Sequence, residues 1–198
     1  LSHGLTWELS SPPTYWIGFW TCASRGSRRG NTLVPGMGTS VRPRGWAGQH
    51  WSPAIHAEAV ATRQRAGLFD ESSFAKIEVS GPGAAAFLQR MCGNDVDRAV
   101  GSITYTQMLN SRGGIECDFT VTRLGADRFR IVTGTAFGNH DLGWIRKHVP
   151  DDGSVQVADV TSAWACLGLW GPRARDILQP LTKTDLSNER FRYMTARE

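Results

Sequence analysis

The sequence predicts an α+β fold, with helices on one face of largely antiparallel sheets, and two features carry that prediction. The first is a repeated unit. Ile77 to Met91 (IEVSGPGAAAFLQRM) aligns with Leu167 to Leu181 (LGLWGPRARDILQPL). Both read apolar-x-apolar-x-Gly-Pro-x-Ala-x-x-apolar-Leu-Gln-x-apolar. In each, a strand ends, Gly supplies a tight turn, Pro presets the helical φ, and a small Ala lets the helix approach the sheet. Two such β-turn-α units imply an internally duplicated fold. The second feature is a meander of three strands, Ile103 to Leu109, Ile115 to Arg123 and Arg128 to Thr133. Asn110 to Gly114 and Leu124 to Asp127 turn the chain, because Asn and Gly accept positive φ and Asp and Ser close turns through their side chains. The middle strand alternates, with Ile115, Cys117, Phe119 and Val121 on one face and Glu116, Asp118, Thr120 and Thr122 on the other.

The remaining elements follow from caps and periodicity. Residues 1–45 are rich in Gly, Pro, Ser and Arg without an apolar period, so this stretch is expected to be a disordered or non-native arm. Residues 46–198 are the expected folded part. Ser52-Pro53 opens a helix that runs to Arg65-Ala66 and stops at Gly67. Leu68-Phe69-Asp70 leads into a strand over Phe74 to Ser80. The turn at Gly81-Pro82-Gly83 starts a helix to Met91. Gly138 to His148 reads as a helix with Leu142, Ile145 and Val149 as its buried stripe. Val155 to Val160 and Trp164 to Trp170 read as strands, and Arg173 to Leu181 as the last helix. The chain starts at Leu1 and stops in a strand-like run, Tyr193 to Glu198, which points to a piece of something longer.

Composition excludes several function classes. The net charge is +4, and five arginines against the single acid Glu8 within residues 1–45 account for all of it. The folded part is therefore neutral, without the basic bias of a nucleic-acid surface. No apolar run approaches the roughly 18 residues that span a bilayer, so no membrane partner is expected. Cys22, Cys92, Cys117 and Cys166 form no CxxC pair and read as small apolar residues of a reducing compartment, with no metal site. His56, near a helix start, reads as a capping or surface group. The Gly-Pro turns open helices, but each Pro removes a donor, and neither GxGxxG nor GxxxxGK[ST] is present, so packing explains them better than phosphate binding. Asp118 stands out, because acids are disfavoured within strands. Residue types alone still favour a solvated face for it.

A resemblance bears on Asp118. Tyr105-x-x-Met108-Leu109-Asn110-x-x-Gly113-Gly114-Ile115-x-x-Asp118, preceded by Gly93-Asn94-Asp95-Val96, resembles the signature of the glycine-cleavage T-protein (aminomethyltransferase) family. Ala66 to Val79 resembles that family's N-terminal motif. Ser73-Phe74, where the glycine-cleavage enzyme has His-Met, is similar to the folate domains fused behind a flavin domain in dimethylglycine and sarcosine dehydrogenases and oxidases. Asp141-Leu142-Gly143-Trp144-Ile145 resembles the same subgroup. The resemblance implies the T-protein fold, of which this chain is the N-terminal portion. It also implies a tetrahydrofolate-binding module that captures the one-carbon unit released when FAD, in a separate flavin domain, oxidises an N-methyl amine. Asp118 matches the family's key acid, and Phe74, Tyr105 and Met108 fall where the family lines its folate pocket. Core packing explains those three equally well. The family's Tyr-x-Gly-Glu motif falls beyond residue 198, which implies an incomplete site and an inactive fragment. The implied compartment is the cytoplasm, or the mitochondrial matrix in a eukaryote. Two alternatives stay open: a non-catalytic folate-binding protein of the iron–sulfur assembly or tRNA-modification type, and an orphan fragment.

Overall fold

The computed structural model describes residues 2–8, 15–22 and 53–198, with side chains from residue 54 onward. Two five-stranded sheets carry the chain. The first contains β1 (Ser2–Glu8), β2 (Tyr15–Cys22), β3 (Gly67–Asp70), β9 (Ala165–Trp170) and β10 (Thr195–Arg197), in the order β10-β1-β2-β9-β3. It is mixed: β2 runs parallel to β9 and β1 parallel to β10, while the other pairs are antiparallel. The second contains β4 (Ala75–Ser80), β5 (Ile103–Leu109), β6 (Ile115–Arg123), β7 (Arg128–Thr133) and β8 (Gln156–Asp159), in the order β5-β6-β7-β4-β8. Every pair in it is antiparallel. The meander is therefore present, and β4 adds to its third strand.

The loose arm expected over residues 1–45 holds two strands. The run Tyr15-Trp16-Ile17-Gly18-Phe19-Trp20 is dense in aromatic and β-branched residues, which suit strands, and it pairs with the repeat strand β9. The rest of that stretch lies outside the described residues. Leu68-Phe69-Asp70 is a strand in its own right, paired antiparallel with β9. The last helix is shorter than its periodicity suggests. It is α4 (Ala174–Leu178), followed by a 3-10 turn, Gln179–Leu181, because Pro180 has no N–H to continue the ladder.

Three further helices complete the described fold: α1 (Pro53–Gln64), α2 (Ala84–Met91) and α3 (Gly138–Lys147). The apolar face of the second sheet supplies Ile77 and Val79 from β4, Phe119 and Val121 from β6, and Phe129 and Ile131 from β7. Phe87 and Leu88 of α2 and Ile145 of α3 pack on that face. A smaller cluster joins Leu169, Ala174 and Leu178 of the second repeat to Leu186 and Phe191 beyond it.

The duplication is visible atom by atom. Gly81 has φ +113° and Gly171 φ +111°. The residue two places on donates its N–H to a neighbouring loop carbonyl in both copies, Gly83 to Ser154 at 3.0 Å and Arg173 to Arg65 at 2.9 Å. Gln89 Oε1 accepts the N–H of Val96, and Gln179 Oε1 accepts that of Leu186, each at 2.9 Å. The glutamine that the two sequence copies share thus ties each helix to the loop seven residues on, satisfying a donor that burial would otherwise strand.

Cys92, Cys117 and Cys166 are free thiols. Burial pushes the Cys92 thiol up to about 12 and Cys166 up to about 11, and it raises Cys117 as well. Between the ordinary value of 9.0 and these values the folded chain holds protons that the unfolded chain has released. Stability is therefore full below pH 9.0 and falls as pH rises through that window. Each lagging thiol contributes up to roughly 1.4 kcal/mol per pH unit. Cys166→Ala is expected to flatten this decline by one thiol's share. Urea unfolding on either side of pH 9.0 checks it, and an unchanged decline in the variant contradicts it.

Candidate functional site

Asp118 sits in the middle of β6, on the face of the second sheet opposite the α2–α3 core. The register puts Gln107 across from it and Tyr105 across from Thr120. Gln107 donates its amide to Asp118 Oδ1 at 3.2 Å. The Tyr105 hydroxyl faces the same carboxylate, which raises the tyrosine's pKa, because ionisation would lose that favourable interaction and set two negative charges side by side. Asp118 is exposed, and Tyr105 is 48% exposed. Phe74, the bend residue immediately before β4, is 37% exposed. The arrangement is an open wall with one carboxylate, two groups that hold it, and aromatic surface beside it.

Farther from the β5 edge the same face closes. Thr120, Val132 and Lys76 form one cross-strand row, and Thr122, Arg130 and Glu78 the next. Lys76 is fully buried and donates to Ser72 O at 2.7 Å, with burial lowering its pKa. Arg130 pairs with Glu78, and its guanidinium lies 4.1 Å over the Trp164 ring. These cations are held internally, so Asp118 has an open edge on one side and a packed polar layer on the other.

Met108 does not join this face. It is fully buried in the core, opposite Cys117. Alternation along β5 puts Tyr105 and Gln107 on one face and Thr106 and Met108 on the other, and a β-bulge sets which residues of β6 they meet. Leu109 pairs with Ile115 but Met108 pairs with Cys117, so Glu116 is an extra residue. Without the bulge, Met108 would face Glu116, and simple alternation would set Met108, Glu116 and Asp118 on one side. With it, the register slips by one and Asp118 meets Gln107. Asn110 braces the bulge: its Oδ1 accepts from Arg112 and Gly114, and its amide donates to Glu116 at 2.8 Å. Gln107 is the site residue that sequence reasoning missed, although alternation along β5 from Tyr105 places it on the same face.

Residues 25–198 match the family described as GCVT N-terminal domain. The chain belongs to this family. The match begins before residue 46, where the sequence alone suggested that the domain starts. Similar relatives include the 4-methylaminobutanoate oxidase (formaldehyde-forming) of Paenarthrobacter nicotinovorans, 38% identical over 148 residues, 75% of this chain and 18% of the relative. The mitochondrial dimethylglycine dehydrogenase of Rattus norvegicus is 32% identical over 161 residues, 81% of this chain and 19% of the relative. Among solved structures, the glycine cleavage system aminomethyltransferase T of Bartonella henselae aligns with a TM-score of 0.62 at 31% identity, covering 70% of this chain and 37% of that one. The GCVT-family chain thus has the α+β T-protein fold, and it spans about a fifth of the length of those two curated relatives. No helix among the described residues is long and apolar enough to cross a membrane.

Proposed function

We propose that this GCVT-family chain forms one wall of a tetrahydrofolate site in a one-carbon transfer domain, within an FAD-dependent N-methyl-amine oxidoreductase. The single observation that carries the reading is the Asp118 carboxylate, exposed on a sheet face and oriented by Gln107 and Tyr105. Its kinship with an oxidase and a dehydrogenase named for methylated amines supports the choice of subgroup.

The residues present fit a flat heteroaromatic amine. A carboxylate with free acceptor sites receives an N–H, and the exposed Tyr105 and Phe74 rings offer stacking surface. When bound, tetrahydrofolate supplies the amine nitrogens that take up a one-carbon unit. Asp118 accepts a hydrogen bond from such an amine, fixes its orientation, and stabilises positive charge that develops there as N–C bonds form. Gln107 and Tyr105 hold the carboxylate in place, so little reorganisation is needed as that charge appears. FAD belongs to a separate flavin domain in this reading, and none of the described residues is assigned to it. The proposed compartment is the cytoplasm, or the mitochondrial matrix in a eukaryote.

Tyr105→Ala removes both a ring from the wall and a donor from the carboxylate. In the complete oxidoreductase, tetrahydrofolate affinity is expected to fall by roughly tenfold, the scale of one aromatic contact. Titration calorimetry checks this, and unchanged affinity would place the folate elsewhere.

A further inference from the structure

On the helix side of the same sheet, one residue from Asp118, three groups of metal-ligand type converge. A cysteine sulfur, a histidine ring nitrogen and a carboxylate oxygen from Cys117, His140 and Asp141 lie within 4.8 Å of one another. Cys117 and Asp141 are buried, while the His140 side chain is 51% exposed. Asp141 Oδ2 accepts the Thr133 hydroxyl at 2.7 Å, and its Oδ1 lies 3.1 Å from His140 Nδ1. The other ring nitrogen, Nε2, lies 3.6 Å from the Glu116 carboxylate.

We propose that Cys117 Sγ, His140 Nδ1 and Asp141 Oδ1 form a three-ligand site for a zinc-type divalent cation, with water in the fourth position on the exposed His140 side. The geometry carries this inference. Zinc bonds to nitrogen and oxygen of about 2.0 to 2.1 Å place tetrahedral neighbours roughly 3.3 Å apart, and the Asp141–His140 pair already stands at 3.1 Å. The outer partners are also in place. Thr133 holds the free oxygen of the buried carboxylate, and Glu116 can accept from Nε2–H, which leaves Nδ1 to ligate. The bulge that disrupts the alternation of β6 is what brings Glu116 to this position. Thiolate, imidazole and carboxylate together select zinc over magnesium or calcium. The cysteine spacing hid this set, since Cys117 lies on β6 and His140-Asp141 lie in the first turn of α3. The proposal is independent of the folate reading. A bound ion would pin α3 to β6 directly behind Asp118.

The competing explanation is a hydrogen-bonded anchor, Thr133–Asp141–His140, with Cys117 merely packed against it. Cobalt(II) titration of the reduced, metal-free 198-residue chain separates the two. The expected result is one equivalent bound, with a thiolate-to-cobalt charge-transfer band in the near ultraviolet that zinc(II) displaces. Cys117→Ser should abolish the band. His140→Ala, whose side chain is exposed and whose fold circular dichroism can confirm, should weaken binding at least about tenfold, and Glu116→Gln by about tenfold. A saturating titration without the thiolate band overturns the proposal. So does a band of unchanged affinity in folded His140→Ala.

Discussion

Asp118→Ala in the proposed complete oxidoreductase is expected to lower one-carbon transfer to tetrahydrofolate by roughly a hundredfold to a thousandfold, while amine oxidation stays within about twofold. In the proposed function the two activities separate, because the carboxylate acts at the folate wall and the flavin chemistry belongs to another domain. The lost carbon should appear as free formaldehyde. Asp118→Asn distinguishes charge from shape. It keeps the side-chain volume but removes the anion, so it should behave like Asp118→Ala if charge stabilisation is the role. Asp118 is exposed and outside both apolar clusters, so neither substitution should unfold the sheet. Equal loss of oxidation and transfer would make Asp118 a structural residue and end the proposed role.

The largest expected stability effect lies in the paired Gly-Pro turns. A Cβ at Gly171 would stand 2.5 Å from Thr62 O and 2.6 Å from Arg65 O, with φ at +111°. A Cβ at Gly81 would collide with Ser154 O, at φ +113°. Neither carbonyl can retreat cheaply, since Arg65 O and Ser154 O accept the N–H of Arg173 and Gly83. Gly171→Ala and Gly81→Ala are each expected to cost about 3 kcal/mol or more, combining backbone strain with collision. Gly113 is the control. Its φ is +77°, but nothing lies within 4 Å of the added carbon. Gly113→Ala should cost only about 1 kcal/mol, the strain alone. Urea denaturation of the three variants checks this ranking, and comparable losses at all three would mean that collision contributes nothing.

These turns are also where the sequence was most readable. Strand, Gly, Pro, Ala and the following Gln are set by local sterics and hydrogen bonding, so the two copies share one pattern and turn alike. The meander was legible for the same reason, through alternation and Asn/Gly turns. Partner choice between distant segments was not legible. Nothing local tells β2 to lie parallel to β9, or marks Leu68 as paired rather than leading into β4. The candidate site was half legible. Asp118 stood out as an acid within a strand, and the family signature singled out Tyr105. Met108 was misplaced and Gln107 missed although β5 alternates regularly, which sets Gln107 with Tyr105 and Met108 on the opposite face; what alternation does not show is which of them meets Asp118, because the extra residue Glu116 leaves no mark in an apolar–polar pattern.

The most direct test of the proposed folate wall is hydroxyl-radical footprinting of the complete oxidoreductase with and without saturating tetrahydrofolate. Tyr105 and Phe74 are exposed and should be oxidised readily in the free protein, and folate should protect both several-fold. Leu181, 73% exposed in the second repeat, should react equally in both samples. Full oxidation of Tyr105 at saturating tetrahydrofolate would show that the folate does not cover the Asp118 face.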